Sequence, residues 1–211
     1  MKFFKDIYRG NSTFFKLLFF YFLSGLIIVI FVRKGDDVFW LNQFHQPAAD
    51  FLFRYITHLG DGLFFVLLSI IFLLFRRYKQ AALIFSSFAL SGLLSQLFKK
   101  VFFPDVLRPV AYLADSAMLH LVEGVEIHTN NSFPSGHTAT AFAVFLMLAL
   151  LFKRAVLGGF FFFLAFLVGM SRIYLVQHFF IDTYAGAWLG VLSAVAVYYW
   201  ADKWEKGRKV L

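Results

Sequence analysis

His178 and Asp182 stand four residues apart, and Arg172 precedes the histidine by six. If a helix has already begun at His178, the four-residue step puts both side chains on one face. The carboxylate can then hold one ring nitrogen and leave the other a lone pair for attack. The guanidinium of Arg172 carries a fixed fork of donors that matches a pair of phosphate oxygens. A second histidine, His137, ends the run Pro134-Ser135-Gly136-His137 just before an apolar segment. A helix beginning there offers free N–H groups and its positive dipole end to an anion; Gly136 permits close approach, and Ser135 can cap or donate. Arg108-Pro109 and the pair Lys99-Lys100 add further cations. These groups supply charge neutralisation, a nucleophile, its orienter and a proton donor, the parts of a metal-independent phosphoryl transfer.

Singly, each block has an ordinary reading. Pro-Ser-Gly begins many helices, an arginine near a helix end caps or snorkels, a His-Asp pair joins helices, and lysines flank membrane spans. Their joint occurrence in an otherwise apolar chain sets them apart.

The elements that must position these residues are apolar. The 211 residues are 61% hydrophobic and 15% charged, and mean hydropathy is +0.74, which indicates a membrane protein. Six apolar runs between breakers give candidate spans at Thr13–Val32, Gly60–Phe75, Gln80–Phe98, His137–Phe152, Ala155–Ser171 and Val176–Trp200. The expected architecture is all-α, a six-transmembrane helix bundle forming a single domain over residues 1–211. The first run, from Phe14 to Val32, exceeds a signal-peptide core and lacks a small-residue cleavage site, so it is expected to remain as an anchor. Below Asp182, Gly186, Gly190 and Ala194 repeat the four-residue step and make a seam for close helix packing. In the third span Ser87, Ser91, Ser95 and Lys99 share one face.

The net charge of +8 lies in short clusters between apolar runs and not on one continuous face, which argues against nucleic acid as a partner. On one side fall Lys2, Lys5, Arg9, Lys16, Arg76, Arg77, Lys79, Lys153, Arg154, Lys203, Lys206, Arg208 and Lys209, thirteen of the 20 Lys and Arg residues; the other side holds Arg33, Lys34, Arg54, Lys99, Lys100, Arg108 and Arg172. The positive-inside bias puts both termini in the cytoplasm and the three motif blocks at the external face. The first dozen residues, with Phe3, Phe4, Ile7 and Tyr8 among Lys2, Lys5 and Arg9, could form a basic amphipathic segment on the inner leaflet or a plain positive flank. The stretch from Arg33 to Leu59, with Phe44, Phe51, Phe53 and Tyr55, reads as interfacial, and Lys99 to Gly136 as a long external loop.

In these blocks the chain resembles the type 2 phosphatidic acid phosphatase (PAP2) family, integral-membrane lipid phosphatases related to soluble acid phosphatases and vanadium haloperoxidases. The family pattern is Lys, six residues, Arg-Pro; then Pro-Ser-Gly-His; then Ser-Arg, five residues, His, three residues, Asp. The last two blocks match in full, as Pro134 to His137 and as Ser171-Arg172 with His178 and Asp182. The first departs: seven residues separate Lys100 from Arg108 and eight separate Lys99. We assign the contact to Lys100, with a looser turn around Pro104 absorbing the extra residue.

The resemblance implies a bacterial inner-membrane phosphatase in which His178, held by Asp182, attacks phosphorus. Lys100, Arg108, Ser135, Gly136 and Arg172 bind the phosphoryl oxygens, and His137 protonates the leaving group. It implies no cofactor and no metal, and as partners a lipid phosphate (undecaprenyl diphosphate, phosphatidylglycerol phosphate, phosphatidic acid or a lipid A phosphate) and the surrounding membrane lipids. Two other readings stay open: a lipid phosphotransferase using the same phosphohistidine, and a non-catalytic membrane lipid-binding or transport protein. His45, His58, His120 and His128 match nothing in the pattern, and Glu123, Glu126 and His128 make a weak metal alternative.

Overall fold

In hydrocarbon a backbone must satisfy its own N–H and C=O groups, so long apolar runs become helices. The structure, a computed structural model, describes residues 2–113 and 118–208, and every regular element among them is helical. The helices are α1 (Lys2–Gly10), α2 (Ser12–Phe31), α3 (Asp36–Asn42), α4 (Pro47–Ile56), α5 (Gly62–Leu74), α6 (Tyr78–Leu97), α7 (Pro109–Tyr112), α8 (Gly136–Phe152), α9 (Ala155–Tyr174) and α10 (Phe180–Arg208). A 3₁₀ turn, Thr57–Gly60, joins α4 to α5, and a π-helical turn, Phe98–Phe102, ends α6.

Four of the described helices are long and apolar enough to cross a bilayer, α2, α6 with its π turn, α9 and α10; the pair Pro47–Gly60 and Gly62–Leu74, bent by 58°, would make a fifth. The expected count of six is therefore not reached by this measure, because α8 stops at 17 residues. Its position explains how a short helix suffices: Thr138 to Leu150 are all buried, so α8 is walled by protein and does not need to match a lipid thickness. Helices α6, α9 and α10 pack around it.

The closest approach is along the glycine seam of α10. A methyl group on Gly186 would lie 2.5 Å from the Ser135 carbonyl oxygen, and one on Gly190 would overlap the Ala139 carbonyl oxygen. Ala194 continues the seam, fully buried. The contact lets the start of α10 reach the start of α8, where the sequence motifs lie.

The basic clusters gather at the opposite end. Phe3 of α1 meets Tyr198 and Tyr199 near the end of α10, Gly10 abuts Lys153 at the end of α8, and Lys79 pairs with Glu205. The side chains of Lys2, Phe4 and Lys5, and all of Lys209, lie outside the described residues. At the motif end lie α3 and α4, and Phe44, Phe51 and Tyr55 are exposed there.

Candidate active site

The chain leaves α9 at Tyr174 and doubles back through a sharp turn in which Val176 takes a φ of 57°, uncommon for a β-branched residue. That turn brings the N–H groups of Gln177 and His178 onto one acceptor, the Arg172 carbonyl, at 2.9 and 3.0 Å. The backbone thus ties the histidine to the arginine. His178 precedes α10 and does not sit on its first turn, so the pair with Asp182 comes from the helix start and not from one helical face. Asp182 Oδ2 collects three contacts: the Ser132 hydroxyl donates at 2.5 Å, the Phe179 N–H donates at 3.0 Å, and His178 Nδ1 lies at 3.4 Å. Two fixed donors hold the carboxylate, and the ring nitrogen nearest it is Nδ1. That leaves Nε2 as the free nitrogen.

Ser135 caps α8 as its spacing predicts. Its oxygen accepts from the Thr138 N–H at 3.4 Å and from the Thr138 hydroxyl at 2.9 Å, so its own proton remains available to an anion. The Ser135 N–H donates to the Asp182 carbonyl at 2.9 Å, which pins the two helix starts together. The N–H groups of Gly136 and His137, first in α8, have no acceptor within the helix.

Two buried guanidinia stand opposite. Arg172 Nη1 donates to Thr57 Oγ1 at 2.8 Å and Nη2 to Gln177 Oε1 at 3.5 Å, while Nε is buried with no partner. Arg108 Nε donates to the Asn130 carbonyl at 2.9 Å, and Nη1 to Gln177 Oε1 at 2.9 Å and to the Gln177 carbonyl at 3.3 Å. His137 lies within electrostatic reach of Arg172, His178, Lys99 and Arg108, so the three motif blocks come close to one another. Burial pushes the Arg108 guanidinium below its ordinary value, with Asp182 opposing. Burial, and then the charges of Arg108, Lys99 and Arg172, push the His178 imidazole well below its usual 6.5, so it stays neutral and keeps its lone pair.

Of the expected residues, Lys100 is the one the structure does not bring to this cluster. Lys100 is exposed, whereas Lys99 is 8% exposed and electrostatically coupled to Arg108, Asp182 and Arg172. The cause is the π turn, closed by the Phe103 N–H on the Phe98 carbonyl at 2.8 Å. It takes up one of the two surplus residues between Lys99 and Arg108, and Lys99 stays in line with the buried Ser87, Ser91 and Ser95. That serine stripe was the signal in the sequence.

Ser132, Thr57 and Gln177 were not anticipated. Ser132 lies two residues before Pro134, and Gln177 is an isolated amide in the apolar run beside His178, so both had a local cue; Thr57 had none. Of the unmatched histidines, His58 follows Thr57 in the 3₁₀ turn, and the other three have partners outside the cluster. His120 Nε2 is 2.9 Å from Asp50 and its ring stacks on His45, and His128 approaches Glu126 at 3.9 Å with both exposed. An apolar groove of about 590 Å³, lined by Tyr21, Ile28, Phe166, Met170, Ile173 and Phe180 among others, runs between α2 and α9. It flanks the segment between Arg172 and Phe180 without including the cations.

A family model described as the PAP2 superfamily matches residues 80–206. The chain is 27% identical over 231 residues to phosphatidylglycerophosphatase B of Bacillus subtilis (strain 168), covering 96% of this chain and 100% of that protein. It is 43% identical over 79 residues to the bacitracin transport permease protein BcrC of Bacillus licheniformis, a match spanning 37% of this chain and 38% of that relative. Among solved structures, LpxE of Aquifex aeolicus superposes with a TM-score of 0.69 at 26% identity, covering 79% of this chain and 94% of that one. The first transmembrane PAP2 type phosphatidylglycerolphosphate phosphatase from Bacillus subtilis superposes at 0.65 and 26% identity, covering 93% and 97%.

Proposed function

Because this chain belongs to the PAP2 superfamily, we propose that it hydrolyses the phosphate monoester or diphosphate of a membrane lipid through a phosphohistidine on His178. The observation that carries this reading is the convergence of an Asp-held, neutral imidazole with three cations and the first amides of α8, those of Gly136 and His137. His178 Nε2 attacks phosphorus as the bond from phosphorus to the leaving oxygen breaks. Asp182 keeps the proton on Nδ1 and stabilises the cation that forms. Lys99, Arg108, Arg172, Ser135 and the Gly136 amide hold the equatorial oxygens, whose charge is greatest in the transition state. His137 gives its proton to the departing oxygen, then takes one from a water that attacks phosphorus, breaks the P–N bond and frees inorganic phosphate. The lipid tail follows the apolar groove between α2 and α9. The near full-length likeness to phosphatidylglycerophosphatase B supports testing phosphatidylglycerol phosphate first among the candidate substrates. The relative named a transport permease keeps a carrier reading in view, but a carrier has no use for an oriented nucleophile.

Phosphate release by the purified protein, measured over polyprenyl diphosphate, phosphatidylglycerol phosphate, phosphatidic acid and lipid A phosphate, tests the reading. Turnover on at least one lipid is expected, together with an acid-labile phosphoprotein on quenching, and H178A abolishes both. Wild-type release by H178A would exclude the covalent route, and transfer of label to a second lipid without free phosphate would favour a phosphotransferase.

A further inference from the structure

Gln177 stands in a position that the family pattern leaves unspecified, yet every polar group it has is engaged within the site. Its side chain is buried at 1% exposure. Its amide oxygen is shared by two cations, accepting from Arg108 Nη1 at 2.9 Å and from Arg172 Nη2 at 3.5 Å. Its amide nitrogen donates to the Glu126 carbonyl at 3.0 Å, so the oxygen cannot swing away. Its own carbonyl accepts from Arg108 Nη1 at 3.3 Å, and its N–H joins that of His178 on the Arg172 carbonyl. The reversed amide would aim N–H groups at two guanidinia and an oxygen at an oxygen, so this network admits one orientation.

We propose that Gln177 is a positioning residue that fixes Arg108 and Arg172 relative to each other and to His178 for the transferring phosphoryl group, a role that rests on the phosphatase reading above. Two guanidinia and a lysine in one buried site repel one another when no anion is present. A shared acceptor holds the two arginines in place; a neutral one leaves their charge intact for the phosphoryl oxygens. A glutamate in the same position would hold them equally well and cancel part of that charge. Nη1 and Nη2 of Arg172 each give one N–H, to Thr57 and Gln177, and the Nε–H is buried without a partner.

The variants Q177M and Q177E of the purified full chain test this in detergent micelles, with the lipid phosphate that the wild type hydrolyses fastest as substrate and orthovanadate as a mimic of the five-coordinate transition state. Q177M keeps the side-chain length and removes the acceptor. A misplacement on the ångström scale costs about 100-fold, so kcat is expected to fall by about that factor and the vanadate inhibition constant to rise in step. KM for the lipid, set largely by the tail, and the midpoint of thermal unfolding stay close to wild type. Q177E keeps an acceptor but subtracts charge, and it is expected to weaken vanadate inhibition by about tenfold or more, consistent with losing a charge contact to a phosphoryl group. If Q177M does not fold, Q177E decides alone, and unchanged vanadate inhibition in it overturns the proposal. So does a Q177M enzyme with wild-type kcat, or one whose loss follows a lowered unfolding midpoint while vanadate inhibition is unchanged. A wild type that neither turns over nor binds vanadate overturns the phosphatase reading itself, an outcome read before either variant is measured.

Discussion

The charge on a single imidazole sets when the proposed chemistry can start. A nucleophilic His178 must be neutral, and burial together with Arg108, Lys99 and Arg172 depresses its pKa well below 6.5. Depression means that the neutral form persists as pH falls, so kcat/KM, which reports the free enzyme, is expected to stay level through pH 6.5 and decline only in more acid solution. A p-nitrophenyl phosphate assay isolates this limb, because its phenolate leaves without a proton from His137. Removing one of the depressing charges must raise the pKa: K99M moves the acid limb to higher pH and costs about 10²–10³ in rate, the scale of a lost transition-state contact. K100M leaves both unchanged. Identical profiles for the two variants would remove Lys99 from the site. The lysine is also where the sequence could be misread. Counting residues back from Arg108 points to Lys100, because linear spacing cannot register a π turn that places an extra residue in the helix. The chain's own four-residue serine stripe pointed to Lys99. Arg172, His178, Asp182 and Ser135 were legible because their constraints are local, a few residues of turn or cap. Thr57 was not, since its bond to Arg172 spans 115 residues and depends on how α4 docks.

Helices were legible for a different reason: the hydrocarbon imposes them. Their lengths were less so, because the rule that a span needs about 20 residues applies to helices that touch lipid, and α8 is enclosed by protein. What the sequence did encode is how α8 is enclosed. The Gly186, Gly190, Ala194 step marks the face of α10 that meets it, and the backbone contact there carries the start of α10, with Asp182, to Ser135. A side chain at Gly190 would meet the Ala139 carbonyl, the Ala143 nitrogen and the Phe142 Cβ, and backbone atoms of a packed helix cannot turn aside. G190A is therefore expected to destabilise by about 1–3 kcal/mol through overpacking and to lower phosphate release as the two helix starts separate. Gly92, inside α6, has nothing within 4 Å of an added methyl group. There the same substitution stabilises by about 0.5–1 kcal/mol, since alanine loses less backbone freedom in a helix. Thermal unfolding of both variants in detergent should give shifts of opposite sign. A G190A protein as stable as the wild type would mean that the seam is not a tight contact.

At the scale of the whole molecule the chain has two chemically distinct ends. Asp6 in α1, Lys79, Lys153 and the last turns of α10 lie together, while Arg108, His137, Arg172 and His178 gather at the other end, separated by the length of α8. The thirteen Lys and Arg residues assigned to the first end and the seven to the second suggest a direction for the polarity: on the positive-inside rule we propose that the richer end faces the cytoplasm, so that the proposed site would receive headgroups from the outer leaflet. The absence of cysteine from all 211 residues makes this directly measurable, because any introduced thiol is unique. His128 lies on the loop whose Thr129 carbonyl accepts the Arg108 N–H, with half its side chain exposed; Lys206 lies near the end of α10, two-thirds exposed. A membrane-impermeant maleimide applied to intact cells is expected to label H128C and spare K206C, and permeabilising the membrane should then expose K206C. The reverse pattern would put the cationic pocket on the cytoplasmic side, where its substrates would be lipids of the inner leaflet. Labelling also separates orientation from catalysis, since neither position touches the site and both variants should release phosphate at the wild-type rate.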